Sequence, residues 1–376
     1  MDSRLILPVL LVGAVSWGAP ADAAFTHDPV ARADRLVQET MTRDHLPSLS
    51  VAVMRDGKLV YAHAAGLMDI AHRTPATPET LYPIGSVTKL LTATAALQLA
   101  AAHKLDLSAP IRRYCPAFPE KKEKITTREL LAHTSGIRHY DYRHFDTDFL
   151  NTRHYASIQD ALGKFAGDPL VAEPGTKYHY SSFGYVVAAC VIEGASGMGY
   201  GAYVERYIVR PAGMTNTRLN DATVPIPGRA VGYSLDDKGK LKPTGFFDPS
   251  DRYGGGGMLS TPTDLVRFVR GLLSGTLLDR QMVKDEMWRS ATLASGRATG
   301  HGLGWDLDEA SGAVTKGGTS VGATSYVYVR PWQGVAVAFV TNLSLWTKHR
   351  DELAVRLAEL FAQGQGASKQ QVQPGN

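Results

Sequence analysis

Strand-forming patterns lie near both ends of this 376-residue chain, and the long stretch between them is mostly helical and rich in loops. Residues 48–54 and 58–64 alternate apolar and polar side chains around Asp56-Gly57, which is a strong signal for a hairpin. Similar patterns recur at residues 301–305, 313–316, 323–329 and 335–340. Strands from both ends must pair to bury their apolar faces, so we predict an α+β fold with one antiparallel sheet and flanking helices.

The region between the two groups of strands, from about residue 100 to about 290, is predicted to be an inserted, mainly α-helical lobe. Helices are also expected near residues 30–43 and 348–362, where apolar side chains recur at helical spacing. The predicted domain covers residues 24–362, and the Gln- and Gly-rich residues 363–376 are predicted to form a disordered tail.

Residues 1–23 carry one arginine, an apolar run of secretory length and the small-x-small sequence Ala21-Asp22-Ala23. This order is typical of a signal peptide that is cleaved before Ala24. We therefore expect a periplasmic or secreted protein with no stable membrane anchor after cleavage. A membrane anchor is the alternative, although the run is short for a bilayer span and is interrupted by Pro8 and Gly13.

The composition, with 44% hydrophobic and 20% charged residues, is that of a globular protein. The net charge of +4 is small and the basic residues are scattered, so we expect no binding to nucleic acid. The histidines lack metal-ligand spacing such as His-Glu-x-x-His, and we expect no metal and no cofactor. Cys115 and Cys190 fit either a disulfide or two buried thiols.

The tetrad Ser86-Val87-Thr88-Lys89 lies where an extended segment passes into an alanine- and leucine-rich helix. Residues three apart lie on one face of a helix, so the Lys89 amine is expected beside the Ser86 hydroxyl. A lysine activates a serine only when desolvation or a nearby cation makes its neutral amine accessible. The tetrad therefore predicts a nucleophile with its own proton acceptor in a buried, electropositive cleft.

Two further segments carry polar side chains that suit such a site. Tyr180-Ser181-Ser182 follows a turn and offers a phenol and a hydroxyl, although aromatic residues in turns usually pack against neighbours. Lys316-Gly317-Gly318-Thr319 lies on a predicted strand, where the glycines would let a substrate backbone approach and the lysine would supply a fixed cation. A lysine on an edge strand is equally a protection against aggregation.

In this order, Ser-x-x-Lys, Tyr-x-Ser and Lys-Gly-Gly resemble the three motifs of the penicillin-recognising serine hydrolases, which include class C β-lactamases, DD-peptidases and β-lactamase-like esterases. The resemblance covers most of the mature chain. Residues 125–140 and 180–185 are most similar to the serine β-lactamase-like proteins of the mitochondrial type. The resemblance implies a β-lactamase/transpeptidase-like fold and an acyl-enzyme mechanism.

By this resemblance, Ser86 is the acylated nucleophile, Lys89 takes its proton, and Tyr180 carries a proton to the leaving group. Lys316 would hold a substrate carboxylate or tune Tyr180, and the backbone N–H groups of Ser86 and Thr319 would form the oxyanion hole. Either Lys89 or Tyr180 could be the base that starts acylation. We expect Lys89, Tyr180 and Lys316 to titrate as a unit.

The chain departs from the family pattern at two positions. Ser182 stands where many relatives have asparagine, and Gly317, beside Gly318, stands where threonine is common. The loss of a carboxamide and a hydroxyl is expected to weaken β-lactam turnover more than acyl transfer, so we predict a peptidase or esterase acting on a small peptide, amide or ester. The alternatives are a penicillin or peptidoglycan sensor without turnover and an assembly-forming protein with a vestigial site. The oligomeric state stays open.

Two other patterns are given structural interpretations. Residues 318–322 match the Gly-x-Ser-x-Gly nucleophile elbow, but the alternation that follows Ser320 is that of a strand, whereas the elbow requires a helix. His133-Thr134-Ser135-Gly136 follows a short capped helix and is predicted to be a glycine-stopped helix end whose side chains hold a loop.

Overall fold

A seven-stranded antiparallel sheet lies at the centre of the computed structural model, which describes residues 28–144 and 148–362. The strands are β1 (Ser48–Arg55), β2 (Lys58–Asp69), β3 (Thr74–Pro75), β4 (Tyr82–Pro83), β5 (Arg218–Leu219), β6 (Tyr233–Leu235), β7 (Leu241–Pro243), β8 (Met258–Ser260), β9 (Asp306–Asp308), β10 (Ala313–Ser320), β11 (Ala323–Arg330) and β12 (Val335–Thr341). The large sheet has the order β3-β2-β1-β12-β11-β10-β9, and two small sheets have the orders β4-β8-β5 and β6-β7. The predicted signal peptide and tail lie outside the described residues.

The two ends of the chain meet at the centre of the large sheet, where β1 pairs with β12. Ser50 lies opposite Val340 and Arg55 lies opposite Val335, in antiparallel register. The turn at Asp56-Gly57 joins β1 to β2, as the hairpin signal predicts. The predicted α+β class, with one antiparallel sheet from both ends of the chain, is confirmed.

The predicted strand over residues 301–305 is wrong, because β9 begins only at Asp306. Gly304 has a φ of +88°, a left-handed conformation that an extended strand does not contain. Gly302 packs so closely on the carbonyl group of Met287 that a side chain at this position would overlap it. The segment is therefore a tight, glycine-dependent connection that leads into the edge strand.

Helices cover both faces of the sheet. Two of them carry the site and are named here the serine helix (Thr88–Ala101) and the central helix (Ser182–Ser196). The others are Pro29–Asp44, Thr127–Leu131, Ile158–Leu162, Tyr200–Val204, Arg210–Ala212, Pro262–Ser274, Arg280–Met282 and Arg350–Ala362. π-Helical turns occur at Glu205–Val209 and Val283–Met287. The 3₁₀ turns are Gly85–Val87, Ile111–Arg113, Tyr142–His144, Pro249–Arg252 and Pro331–Gln333.

Each face of the sheet has its own apolar core. The terminal helices Pro29–Asp44 and Arg350–Ala362 pack on one face, against side chains that include Val51 and Phe339. The helix Pro262–Ser274 packs on β1 and β12 from the opposite face, in a core that includes Ala52 and Ala338, and the serine and central helices belong to the same core. Successive strand residues point to opposite faces, and helices cover both faces. Nearly every residue of β1 and β12 is therefore buried, and their sequences are mostly apolar.

The central helix is enclosed by the rest of the protein, and its residues from Ser182 to Ile192 are buried. Ser181 caps its start by accepting a hydrogen bond from the Gly184 N–H at 2.8 Å, and the helix ends at Gly197, which has a φ of 70°. Cys190 on this helix is disulfide-bonded to Cys115, which settles the alternative that the sequence leaves open.

In the described part of the chain, no helix on its own has the length and hydropathy of a membrane span. The central helix and the segment Tyr200–Ala212 meet those criteria only when they are taken together, and a bend of 75° separates them.

Candidate active site

Ser86 lies in the turn Gly85–Val87, just before the serine helix and beside β10. Gly85 has a φ of +47°, and a Cβ atom there would lie 2.8 Å from the backbone nitrogen of Thr319. At Gly318 a Cβ atom would overlap the carbonyl oxygen of Ile84 and lie 3.1 Å from the backbone nitrogen of Ser86. The two glycines therefore let the Ser86 turn and β10 touch, and they bring the Ser86 and Thr319 backbones together.

Lys89 lies one helical turn after Ser86 and is completely buried. Its Nζ donates hydrogen bonds to Ser182 Oγ at 3.0 Å and to the Gly255 carbonyl oxygen at 2.6 Å, and it lies 3.0 Å from Ser86 Oγ. Burial, and then the positive charge of Lys316, lower the pKa of Lys89 well below its ordinary value of 10.5. A neutral amine with a lone pair beside Ser86 Oγ is the form that can accept the serine proton.

Tyr180 approaches Ser86 from the opposite side, and its phenol donates a hydrogen bond to Ser86 Oγ at 2.7 Å. The Nζ atoms of two lysines lie over its ring, that of Lys89 at 4.9 Å and that of Lys316 at 5.3 Å from the ring centre. Burial nevertheless raises the pKa of Tyr180 above its ordinary value, because the phenolate would lose its hydration. The phenol is therefore a proton donor at neutral pH.

Two histidines that the sequence does not assign to the site hold the tyrosine segment in place. His133 Nδ1 accepts a hydrogen bond from the Ser181 N–H at 3.1 Å, and its ring lies 4.3 Å from the ring of Tyr180. His139 Nδ1 accepts a hydrogen bond from the Ser182 N–H at 3.2 Å. Burial, and then nearby positive charge, lower the pKa of His133 well below its ordinary value and that of His139 to about 3. Both rings are therefore neutral acceptors.

The side chains of residues 133–136 hold a loop, as predicted, and the loop that His133 holds is the tyrosine segment itself. The predicted glycine stop is wrong, because the first left-handed residue after the helix Thr127–Leu131 is His133, with a φ of 58°, and not Gly136. The His133 carbonyl oxygen also accepts a hydrogen bond from the His179 N–H at 2.8 Å. The resemblance over residues 125–140 was the available sequence signal for both histidines. It identifies the segment, but it does not say which side chains face Tyr180.

Ser182 was expected to contact substrate, and the structure corrects this. Its side chain is only 2% exposed, and its hydroxyl accepts the hydrogen bond from Lys89. Because Ser182 is the first residue of the central helix, its hydroxyl is fixed behind the lysine rather than presented to the cleft. Ser182 therefore orients Lys89.

Lys316 points toward Tyr180 from β10, as the resemblance implies, but it already has a partner. Its Nζ donates a hydrogen bond to Asp306 Oδ1 at 3.1 Å, and the same carboxylate oxygen lies 3.0 Å from His301 Nδ1. Burial raises the pKa of Asp306, but the positive charge of Lys316 and the contact with His301 outweigh burial and lower it to about 2. Asp306, which the sequence analysis does not mention, is thus an anion at the Lys316 end of the site.

The two glycines of the third motif face opposite sides of β10. Gly318 lies against the Ser86 turn, so the close approach that it allows is with the protein's own backbone and not with a substrate, as was expected. At Gly317 a Cβ atom would lie 2.6 Å from Arg350 Nη1, on the face that the terminal helices cover. The expected contact of a substrate with the Gly317 backbone stays a prediction.

This difference gives a matched pair of variants. Gly318→Ala places a methyl group against a backbone carbonyl, so we expect a loss of about 1–3 kcal/mol in the free energy of unfolding. Gly317→Ala meets only the end of a flexible arginine side chain, so a smaller loss is expected. Urea titrations of both variants check this, and an equal loss in the two would contradict the assigned packing.

A cavity of about 640 Å³ is lined in part by Val321, which lies two residues beyond Thr319 in the turn between β10 and β11. Its lining is largely apolar and consists of Phe149, Leu150, Thr152, Ser234, Lys242, Pro243, Thr244, Gly245, Phe246, Val321, Ser344 and Leu345. Among the described residues, no group of three or more His, Cys, Asp or Glu side chains is arranged to hold a metal ion.

Two solved structures share this fold and arrangement of elements. The octameric penicillin-binding protein homologue from Pyrococcus abyssi superimposes with a TM-score of 0.75 and 27% identity, over 88% of this chain and 76% of that one. A D-amino acid amidase from Ochrobactrum anthropi superimposes with a TM-score of 0.73 and 25% identity, over 88% of this chain and 98% of that one.

The sequence is also similar to the mitochondrial serine beta-lactamase-like protein LACTB of Homo sapiens, with 32% identity over 295 residues. The matched part is 61% of this chain and 54% of the human protein, so the match spans about half of the length of that relative. The family model described as Beta-lactamase matches residues 33–361, which is most of the chain. The protein therefore belongs to the beta-lactamase family, which includes the penicillin-binding-protein-like serine hydrolases.

Proposed function

We propose that the protein is an exported serine hydrolase that forms an acyl-enzyme on Ser86 and cleaves a small peptide, amide or ester. One observation carries this proposal: Ser86 Oγ lies 3.0 Å from the buried amine of Lys89 and 2.7 Å from the phenol of Tyr180. A serine between a proton acceptor and a proton donor is the arrangement that nucleophilic catalysis requires. The half-buried position of Ser86 leaves its hydroxyl open to the cleft.

In the acylation step, the neutral amine of Lys89 takes the proton of Ser86 while Oγ bonds to the substrate carbonyl carbon. The negative charge that develops on the carbonyl oxygen is stabilised by the N–H groups of Ser86 and Thr319, which lie at the contact between the Ser86 turn and β10. The bond from the carbonyl carbon to the leaving nitrogen or oxygen then breaks. Tyr180 gives its proton to the leaving atom and regains one from the Lys89 ammonium.

Deacylation repeats these steps with water as the nucleophile. Lys89 takes a proton from the water, the water oxygen bonds to the acyl carbon, and the ester bond to Ser86 breaks. Ser86 Oγ recovers its proton, and Lys89 ends neutral. The raised pKa of Tyr180 and the lowered pKa of Lys89 support the lysine as the base in this proposal.

The breadth of the relatives supports a hydrolase of amides or esters. One similar structure is named a penicillin-binding protein homologue and another a D-amino acid amidase, at 27% and 25% identity. The apolar cavity beyond Thr319 has a volume of about 640 Å³, which is room for the acyl part of a substrate. We propose that this part of the substrate is apolar.

Export is supported by two observations of different kinds. Residues 1–23 have the sequence of a signal peptide, and Cys115 and Cys190 form a disulfide, a bond that persists in oxidising compartments. Determination of the N-terminal residue of the protein from periplasmic extract or culture medium tests the proposal. An N-terminus at Ala24 is expected, and retention of residues 1–23 in the membrane fraction would support the anchor instead.

Kinetics test the hydrolase proposal directly. Purified protein is given an activated ester, a D-Ala-D-Ala peptide and a cephalosporin, each in large excess, and product per enzyme is measured. Many turnovers on at least one ester or peptide are expected. A single burst of one product per enzyme would instead support the sensor, and the absence of both product and acylation would overturn the proposal.

Tyr180→Phe gives a more specific result. We expect kcat/KM to fall by about 10²–10⁴-fold on an amide, whose leaving nitrogen needs a proton, and much less on a p-nitrophenyl ester, whose leaving group needs none. Tyr178→Phe is the matched control, because its hydroxyl contacts His301 and not Ser86. Equal losses on the amide and the ester would contradict a proton-donor role for Tyr180.

A further inference from the structure

The Lys316 end of the cleft carries a balanced pair of charges rather than a free cation. Lys316 is 2% exposed, whereas the side chain of Asp306 is 37% exposed, so the carboxylate is the member of the pair that solvent reaches. His301 contacts the same carboxylate oxygen at 3.0 Å, and the ring of Tyr178 stacks on the His301 ring at 4.1 Å. Asp306 is therefore held in a fixed position at the edge of the site.

Lys316 identifies which part of a substrate would meet this carboxylate. Its Nζ lies 5.3 Å from the ring of Tyr180, the proton donor to the leaving group, so the pair lies on the leaving-group side of Ser86. The lining of the apolar cavity includes Val321, which follows the last residue of β10, whereas Lys316 lies in the middle of this strand. A substrate in the cleft would therefore have its acyl part toward Val321 and its leaving group toward Asp306.

We propose that Asp306 is a specificity-determining residue that selects substrates whose leaving group carries no carboxylate, such as neutral esters, carboxamides and amine-bearing leaving groups. The proposal rests on the proposed hydrolase function. Asp306 already accepts a hydrogen bond from Lys316 and offsets its charge, and a second carboxylate near Lys316 would meet the like charge of Asp306. A neutral or cationic leaving group would meet no such repulsion.

Arg350 is the cation that could provide a rival carboxylate site. Its guanidinium lies beside Gly317, on the face of β10 that the terminal helices cover, and it is 4.5 Å from the ring of Tyr326. It also lies near Asp351, with Nε and Oδ1 3.7 Å apart. These contacts hold Arg350 on the sheet face opposite to Lys316. If it nevertheless reached the cleft, the wild-type protein would prefer substrates that carry a carboxylate.

The test compares two ligands that differ only in the terminal group, N-acetyl-D-Ala-D-Ala and its C-terminal amide. For the wild type we expect a higher kcat/KM on the amide. Asp306→Asn should shift the ratio of the two values toward the carboxylate ligand by about tenfold or more, mainly through KM. Asp308→Asn is the matched control, because Asp308 lies on the same strand but is exposed and bonds to Ser311, and it should not move the ratio.

Binding in the Ser86→Ala background separates this proposal from the hydrolase proposal. Calorimetry should show that Asp306→Asn lowers the Kd of N-acetyl-D-Ala-D-Ala by about tenfold and leaves that of the amide nearly unchanged. This shift without any hydrolysis by the wild type would uphold the role of Asp306 and overturn the hydrolase. An unchanged ratio, or a wild type that prefers the carboxylate, would overturn the role of Asp306. Asp306→Ala serves as a second variant if the asparagine variant unfolds.

Discussion

Ser86→Ala is expected to abolish covalent labelling by a fluorophosphonate or a fluorescent penicillin and to lower kcat/KM on any ester substrate by about 10³-fold or more. The loss is large because the hydroxyl of Ser86 is the group between Lys89 Nζ and Tyr180 Oη. Intact-protein mass spectrometry measures the labelling. The wild type should gain the mass of one adduct, a phosphonyl group from the fluorophosphonate or one ring-opened penicillin, and the alanine variant should gain none.

Ser320→Ala is the control that makes this result decisive. Ser320 occupies the serine position of a Gly-x-Ser-x-Gly sequence, but in the structure it is a buried residue at the end of β10, followed by a turn and a strand. We expect this variant to be labelled like the wild type. Labelling that survives Ser86→Ala and disappears in Ser320→Ala would mean that the nucleophile has been assigned to the wrong serine.

The sheet could be predicted from sequence because its signals are periodic and repeated. The alternation around Asp56-Gly57 and the apolar runs of β11 and β12 each involve many residues that agree with one another. The start of β9 could not be predicted, because a strand pattern at residues 301–305 is overridden by the positive φ of Gly304. A dihedral angle at a single residue is set by packing around it, which leaves no periodic signal.

The grouping of Ser86, Lys89 and Tyr180 could also be predicted, since each residue belongs to a motif with fixed spacing. The residues that hold these groups in place could not be predicted. Ser182 accepts a hydrogen bond from Lys89, His133 accepts one from the Ser181 backbone N–H, and Asp306 accepts one from Lys316. Each of these contacts joins two motifs, or a motif and a residue outside any motif. Such contacts depend on how distant segments of the fold are placed, and a lone histidine or aspartate in a sequence does not reveal them.

The predicted electropositive cleft is present in a modified form. Burial lowers the pKa of Lys89 and so favours its neutral form, and Asp306 offsets the charge of Lys316. In the resulting site, the pKa of Lys89 is lowered and the pKa of the neighbouring Tyr180 is raised. This order is what a lysine base and a tyrosine proton donor require at neutral pH.

Lys89→Arg tests that order through the pH dependence. In the wild type the active form has a neutral Lys89, so kcat/KM should rise with pH as the lysine loses its proton, with a midpoint well below 10.5. An arginine keeps its proton throughout this range and can still donate hydrogen bonds. We therefore expect kcat/KM to fall by about 10²–10⁴-fold and the rise with pH to disappear.

Thermal unfolding must accompany these rates, because the larger guanidinium has to fit the buried site beside Ser182 and the Gly255 carbonyl group. A variant that unfolds near the wild-type temperature but has lost the pH-dependent rise identifies Lys89 as the titrating base. If the rise persists in Lys89→Arg with an unchanged midpoint, the titrating group is another residue. Tyr180, at 2.7 Å from Ser86 Oγ, would then be the base, and the roles of the two residues in acylation would be exchanged.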